Sequence, residues 1–188
     1  MKFIKTEIPE VVIIEPKIWD DERGLFFESF RNDLFDRNIK KINFVQDNES
    51  ISKYGSLRGL HFQLPPFAQS KLVRVIKGKI IDVAIDIRKG SPTFAKFVTI
   101  ELSENNKKQI FIPRGFAHGF IVISEECILN YKVDNYYSKE SERGIIYSDK
   151  TLNIDWRINK KDIVLSEKDK ILPDLYNTEM FNYSDSLY

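Results

Sequence analysis

The segment Lys79–Arg88, which reads KIIDVAIDIR, decides the fold class of this chain. Its residues alternate with a period of two. One face carries Ile81, Val83, Ile85 and Ile87, and the other carries Asp82, Ala84, Asp86 and Arg88. Successive side chains of a strand point to opposite faces, so this pattern predicts a β-strand with one strongly apolar face.

Segments of the same kind lie on both sides of this strand, at Lys71–Ile76, Thr93–Leu102 and Lys108–Ile112. Turn signals separate them, namely Lys77-Gly78-Lys79, Lys89-Gly90-Ser91-Pro92 and Glu104-Asn105-Asn106-Lys107. Many short strands without long helices between them predict an all-β fold, an antiparallel sandwich or barrel.

Two short helical segments are predicted at the periphery. The first covers Asn32–Asn38, with Asn32 as N-cap and Asp33 near the positive end of the helix dipole. The second starts at Ser166, where Ser-Glu-Lys-Asp is typical of a capped turn. The aromatic tail from Pro173 to Tyr188 has no periodicity, and the sequence leaves open whether it packs along a neighbouring molecule or is partly disordered.

The composition predicts one domain over residues 1–188, with a C-terminal tail from about residue 172. The net charge of +1 gives no reason to expect a nucleic-acid or membrane partner. The single Cys127 excludes an internal disulfide and fits a reducing compartment. The start, Met1–Glu7, becomes charged again too soon for a signal peptide, so we expect a cytoplasmic protein.

Both histidines of the chain lie in glycine-punctuated, aromatic segments: His61 in RGLHFQ and His118 in PRGFAHGF. Imidazole titrates near neutral pH, so it is the usual general base for proton abstraction. A metal site is not expected, because Gln63 stands where a metal-binding His-x-His would place its second histidine. In addition, no acidic residue occurs between His61 and Asp82.

Segments along most of the chain occur in the order typical of one family. They are Asp21–Gly24, Phe26–Ser29, Phe44–Asn48, Leu57–Gln63, Gln69–Val73, Asp82–Arg88, Ser91–Phe94, Ile112–Phe120, Tyr131–Lys132, Asn135–Tyr137 and Leu165–Asp169. In them the chain resembles the dTDP-4-dehydrorhamnose 3,5-epimerases, a family of cupins, from about Ile8 to Leu175. Ser70 and Ala95 stand where this family usually has Gly, and Tyr147 where it often has Trp.

The resemblance implies an antiparallel cupin jelly-roll barrel and an isomerase that needs no cofactor. The expected substrate is dTDP-4-dehydro-6-deoxy-D-glucose, whose C3 and C5 protons are acidic because each lies beside the C4 ketone. A base removes a proton, an enolate forms, and an acid returns a proton to the opposite face. The product, dTDP-4-dehydro-L-rhamnose, feeds dTDP-L-rhamnose and polysaccharide biosynthesis.

The resemblance also assigns roles to individual residues. His61 would be the base, Asp169 its partner on the other ring nitrogen, Tyr131 the acid and Lys71 the cation that stabilises the enolate at O4. The implied substrate-binding residues are Arg23 and Arg58 for phosphate, Glu28, Gln46 and Asn48 for the nucleotide or sugar, Phe26 for packing, and His118, Glu142 and Lys168. The family forms homodimers by exchange of N-terminal strands, and Ile4–Ile14 is apolar enough for this.

Other interpretations stay open at this point. His61 and Asp169 are also compatible with structural roles, Tyr136 or Tyr137 with that of the acid, and the arginines with surface ion pairs. Asp82 and Asp86 are interpreted as a polar barrel face. The alternative functions are a mono-epimerase acting at C3 or C5 alone, an epimerase of a related nucleotide-linked 4-keto-sugar, a metal-dependent cupin enzyme, and a sugar-binding cupin without activity.

Overall fold

The computed structural model describes all residues from Met1 to Tyr188. Its strands are β1 (Lys2–Lys5), β2 (Val12–Glu15), β3 (Ile18–Asp21), β4 (Gly24–Phe27), β5 (Gln46–Lys53), β6 (Leu57–Gln63), β7 (Lys71–Lys77), β8 (Lys79–Asp86), β9 (Arg88–Lys89), β10 (Phe97–Ser103), β11 (Gln109–Ile112), β12 (Phe116–Val122), β13 (Glu126–Val133), β14 (Glu142–Gly144) and β15 (Phe181–Asn182). Its helices are α1 (Asn32–Asn38) and α2 (Glu167–Lys170), with short 3-10 turns at Lys160–Asp162 and Leu175–Asn177.

Two antiparallel sheets form the body of the molecule. One has six strands in the order β1-β2-β11-β7-β13-β5, and the other has five in the order β10-β8-β12-β6-β14. An apolar cluster that includes Val73, Leu129, Ala84 and Phe120 packs between them. The predicted all-β antiparallel architecture with short peripheral helices is therefore confirmed.

Strand β8 behaves as its alternation predicts. Ile81, Val83, Ile85 and Ile87 belong to a cluster on the outer face of the five-stranded sheet. Ala84 belongs to the cluster between the sheets. The C-terminal segments cover the outer face, so β8 is buried both between the sheets and on the outer face.

The strand predicted from Thr93 begins only at Phe97. The Asp86 carboxylate accepts hydrogen bonds from Ser91 Oγ at 2.5 Å and Thr93 Oγ1 at 2.6 Å, and these bonds fold the preceding residues into a turn. Ala95 in this turn has a φ of +61°. That conformation favours Gly and explains why Gly is the usual residue there.

Helix α1 covers the predicted residues, but its predicted N-cap is wrong. The N-cap is Arg31, with extended backbone and no capping side-chain bond. Asn32 is already helical, and its amide donates to Asp36 Oδ2 at 3.1 Å. The prediction at Ser166 is confirmed, because its side chain accepts a hydrogen bond from the Asp169 backbone N–H.

The C-terminal tail packs on its own barrel, which is neither of the two alternatives left open by the sequence. Leu175 and Phe181 are buried in the outer cluster, and β15 pairs in parallel with β9. No helix of the structure is long and apolar enough to cross a membrane.

Candidate active site

A polar cavity lies between the sheets, where charged and hydrogen-bonding side chains replace the apolar core. It consists of two adjoining spaces of about 580 and 390 Å³, and His61, Lys71 and Tyr131 line both of them. His61 lies on β6 of the five-stranded sheet, whereas Lys71 and Tyr131 lie on β7 and β13 of the six-stranded sheet. All four predicted catalytic residues therefore share one cavity and approach it from two walls, because Asp169 lines the larger space as well.

The fourth predicted catalytic residue, Asp169, is paired with His61. The distance from His61 Nε2 to Asp169 Oδ1 is 2.6 Å. Burial opposes ionisation of Asp169, but hydrogen bonds from His61 and Ser166 hold the pKa of this carboxyl below its usual range. An ionised Asp169 accepts a hydrogen bond from the Nε2–H group, so the lone pair of Nδ1, which has no hydrogen bond within the protein, is free to accept a proton.

The second histidine also pairs with a carboxylate. His118 Nε2 lies 2.8 Å from Asp82 Oδ2, and both side chains are buried. Burial lowers the pKa of His118, so the ring is neutral at neutral pH. His118 lies directly opposite His61 in the β12–β6 ladder. Asp82, interpreted from the sequence only as part of a polar face, belongs to this site.

Glycines allow the two histidine strands to approach each other closely. Gly59 has a φ of +133°, and a Cβ there would lie 2.5 Å from Gly119 Cα. The register between β6 and β12 shifts at this point, between His118 and Phe120. Larger residues would separate the strands and with them the two imidazoles.

Burial shifts the pKa values of both Lys71 and Tyr131. Burial lowers the pKa of Lys71 to about 8, although the charges of Asp82 and Glu142 favour its protonated form. Burial raises the pKa of Tyr131, which keeps the phenol protonated. The two residues lie two positions apart on paired strands, since Lys71 is opposite Val133 and Tyr131 is opposite Val73.

Polar side chains form the rim of the cavity, and six of the predicted binding residues are among them. His118 and Arg58 line the larger space with Lys168, and Gln46, Asn48 and Glu142 line the smaller one. Gln46 Nε2 donates to Asn48 Oδ1 at 2.7 Å. Glu142 accepts from Lys168 Nζ at 2.5 Å and from Tyr137 OH at 2.9 Å. Although burial opposes its ionisation, these bonds hold the pKa of Glu142 below its ordinary value.

Three predicted binding residues are not brought to this cavity. Arg23, Phe26 and Glu28 lie on or next to the β3–β4 hairpin, and none of them lines either space. The Arg23 side chain is 89% exposed and pairs with Asp21 at 2.6 Å. Phe26 is 66% exposed. Within one chain, the structure therefore separates these residues from His61.

The sequence analysis gave Asp82 no role in the site and considered Tyr137 only as an alternative acid. Asp82 has the same alternating pattern as Asp86, which instead pairs with Arg88 at 2.7 Å. The two lie on the same face of β8, and only their ladder positions distinguish them, because Asp82 is opposite Phe120 and Asp86 is opposite Phe116. Tyr137 lies in the loop after β13, where the alternation of residues along a strand does not predict which way a side chain points.

No group of three or more His, Cys, Asp or Glu side chains is arranged to hold a metal ion. The arrangement offers a carboxylate-oriented imidazole on one wall, and a phenol and an ammonium on the other. A base and an acid on opposite sides of a cavity can move protons to and from a carbon beside a carbonyl, and the cation can stabilise the enolate between the two steps. Fold and site together define a cupin-type isomerase that works by proton transfer.

Comparisons with known proteins identify the family. The profile of the dTDP-4-dehydrorhamnose 3,5-epimerase family matches residues 5–177. A dTDP-4-dehydrorhamnose 3,5-epimerase of Shigella flexneri is 55% identical over 170 residues, 90% of this chain and 93% of that protein. The chain belongs to the dTDP-4-dehydrorhamnose 3,5-epimerase family.

Solved structures agree with this assignment and confirm the cupin fold. A 3,5-epimerase of Legionella pneumophila Philadelphia 1, in complex with dTDP-4-keto-L-rhamnose, has a TM-score of 0.94 and 45% identity, with 98% of this chain and 99% of that one covered. A 3'-monoepimerase of Streptomyces bikiniensis, in complex with dTDP-quinovose, has a TM-score of 0.87 and 28% identity, with coverages of 96% and 93%.

Proposed function

We propose that this isomerase epimerises dTDP-4-dehydro-6-deoxy-D-glucose at C3 and C5, giving dTDP-4-dehydro-L-rhamnose for dTDP-L-rhamnose biosynthesis. The observation that carries the proposal is the His61–Asp169 pair at 2.6 Å on one wall of the cavity that Lys71 and Tyr131 line from the other. Higher identity to 3,5-epimerases than to the 3'-monoepimerase favours double inversion.

The proposed reaction begins when His61 Nδ1 removes the proton from C3 or C5. The C–H electron pair moves into the bond towards C4, and the negative charge collects on the C4 oxygen. The Asp169 carboxylate stabilises the imidazolium that forms, because it accepts a hydrogen bond from the Nε2–H group. The ketone itself accepts the electrons, so the step needs no cofactor.

Lys71 and Tyr131 serve the second half of the reaction. The Lys71 ammonium stabilises the charge on O4, a contribution typically worth about 3–4 kcal/mol for such a donor. The Tyr131 hydroxyl then delivers a proton to the carbon from the opposite face, which inverts it. Before the second carbon reacts, His61 releases its proton to solvent and the Tyr131 phenolate takes one up from solvent.

The rim residues hold the rest of the substrate in this proposal. The Arg58 guanidinium, which now donates to Ser52 Oγ at 3.1 Å, suits a phosphate oxygen. Gln46 and Asn48 offer amides to the nucleotide or sugar. His118, Glu142 and Lys168 complete the binding set. The polar wall that would bind the diphosphate lies next to the proton-transfer groups, and this arrangement suits a sugar linked to a nucleotide.

Proton NMR in D2O tests the proposed function with dTDP-4-dehydro-6-deoxy-D-glucose as substrate. We expect deuterium at both C3 and C5 of the product. Deuterium at one carbon alone would replace the proposal by a mono-epimerase. Retained activity after metal chelation is expected, and its loss would favour a metal-dependent cupin enzyme.

The alkaline limit of activity is expected near pH 8, because the Lys71 ammonium is lost as the pH rises through its lowered pKa of about 8. Below that pH Lys71 is charged and the enolate is stabilised. Lys71→Arg keeps the charge at every pH, so its rate profile should lose this limit even if the maximal rate is lower. The exposed Lys77→Arg is the matched control and should keep the limit. A limit that stays near pH 8 in Lys71→Arg would contradict the assignment.

We further propose that the chain acts as a cytoplasmic homodimer, with residues 1–188 as one functional domain. The β3–β4 hairpin supports a second copy as its partner, because it exposes Trp19 by 44%, Leu25 by 52% and Phe26 by 66%. In the dimer, Arg23, Phe26 and Glu28 would complete the cavity of the partner chain. The segment Ile4–Ile14, expected from the sequence to exchange between barrels, instead packs on its own barrel, where β2 pairs with β11 and Ile8 and Val11 are buried. The hairpin itself would therefore reach the partner chain.

Mixed dimers test this arrangement. Arg23→Glu and His61→Asn chains are each expected to be nearly inactive alone. Refolded together at equal amounts, they should recover about a quarter of the wild-type rate, because half of the dimers would contain one intact composite site. Glu22→Lys, which alters the neighbouring exposed charge, should stay active alone. No recovery in the mixture would place Arg23 in the site of its own chain.

A further inference from the structure

The C-terminal tail and Ser70 meet in the structure. The family profile ends at residue 177, whereas the chain continues to Tyr188. Ser70, fully buried, stands where Gly is usual. The Tyr188 hydroxyl lies 2.8 Å from Ser70 Oγ, so the last residue of the chain makes a hydrogen bond with the residue that precedes Lys71.

This hydrogen bond belongs to a closed network. The Tyr188 hydroxyl also accepts from the Arg114 backbone N–H at 3.1 Å. Arg114 Nε donates to Asp134 Oδ2 at 3.0 Å, and its Nη1 donates to the Leu187 carbonyl at 2.6 Å. Asp134 Oδ1 accepts from the Ser70 backbone N–H at 2.6 Å, which closes the ring.

The tail is anchored well enough to hold this network. Phe181 is buried against the barrel, and β15 pairs with β9. The Lys40 ammonium lies 3.4 Å from the centre of the Tyr188 ring, and the Arg114 guanidinium lies 5.1 Å from it. Two cations against an aromatic face favour one position for the ring.

The network encloses the ends of the two strands that carry the cation and the acid. Ser70 immediately precedes Lys71 at the start of β7, and Asp134 follows β13, three residues after Tyr131. These ends are paired, because Lys71 is opposite Val133. A displacement at this end would therefore move Lys71 and Tyr131 relative to His61, which lies on the other sheet.

We infer that Tyr188 is a positioning residue for the epimerisation, which fixes Lys71 and Tyr131 through its hydrogen bonds to Ser70 and Arg114. The inference rests on the proposed function of this cavity. It gives the C-terminal tail a role in turnover. A displacement of about 1 Å in a catalytic group can lower a rate about 100-fold, so one hydroxyl at the strand end is enough to matter.

The kinetic test compares Tyr188→Phe with Tyr183→Phe, which removes a hydroxyl from the same tail where no hydrogen bond is made. We expect Tyr188→Phe to lower kcat about tenfold with KM within about twofold of wild type, because the nucleotide contacts lie on β5 and β6. Tyr183→Phe should match wild type. Ser70→Gly should reproduce the Tyr188→Phe effect, and the double variant should lose no more than either single one.

A second measurement needs no substrate. Carbon-13 NMR of labelled lysines follows the Lys71 titration, with Lys71→Arg to assign the signal. The charged and titratable groups around Lys71, namely Asp82, Glu142, His61, His118 and Tyr131, are the same in every tail variant. In Tyr188→Phe a looser strand end should admit water and move the Lys71 pKa from about 8 towards its ordinary 10.5.

The two measurements separate the inference from the function on which it rests. Wild-type kcat together with an unmoved Lys71 titration in Tyr188→Phe would overturn the positioning role. A wild-type chain that incorporates no deuterium would refute the proposed function, and the Lys71 titration would then decide the positioning role by itself. A fall in kcat that Tyr183→Phe shares would also overturn it, because the effect would then belong to the tail in general.

Discussion

His61→Ala is expected to abolish deuterium incorporation at both C3 and C5 and to lower kcat by at least about 10³-fold. The substitution removes the proposed base, and positioned acid–base catalysis contributes about 10²–10⁴-fold to a rate. Lys71 would remain to bind O4, but no group would be left on the β6 wall to take the proton. The measurement is proton NMR of the substrate in D2O, with kcat from product formation.

Binding should survive this substitution. Arg58, Gln46 and Asn48 do not contact His61 in the hydrogen-bond network, so calorimetric affinity for dTDP should stay within a few-fold of wild type. Asp169→Asn is the companion variant: it keeps the shape of the pair but cannot hold the same tautomer, and its rate should fall less than that of His61→Ala. A His61→Ala chain that fails to fold would instead indicate a structural histidine.

Tyr131→Phe is expected to lower product formation about 100-fold while leaving KM almost unchanged. Without the phenol, the proton can return only from His61, on the face from which it left. Substrate recovered from D2O should therefore contain deuterium at the reacting carbons with its original configuration. Exchange without inversion is a specific signature of a missing acid, because loss of the base removes both.

The matched control is Tyr136→Phe, since Tyr136 is 60% exposed and lies in the loop after β13. It should behave like wild type. Tyr137→Phe breaks the 2.9 Å bond to Glu142 and should affect KM more than kcat. If Tyr131→Phe turned over at the wild-type rate, another tyrosine or a water molecule would be the acid.

The sequence predicted the parts of this molecule that follow from local periodicity. The apolar face of β8, the range of α1 and the Ser166 cap depend on neighbours one to four residues away, and all three are confirmed. The pairing of His61 with Asp169 joins positions 108 residues apart. Only the resemblance to a family, and not periodicity, could predict it.

The errors and omissions also have physical reasons. Asp86 folds Ser91 and Thr93 into a turn, and no alternation of apolar residues reports such a bond. Asp82 differs from Asp86 only by its partner, His118, in a neighbouring strand. The position of Tyr188 against Ser70 depends on the path of an aperiodic tail, so the sequence left that tail undecided.

The placement of the base and the acid on different sheets has a consequence for the fate of the enolate. A sugar held between the two sheets can lose a proton to one wall and gain a proton from the other without rotating or leaving the cavity. Inversion then requires neither release nor rebinding of a reactive species that water would quench. If His61 and Tyr131 act as proposed, the gap between the two sheets holds the intermediate in place, and its width would limit which sugars can be inverted without release.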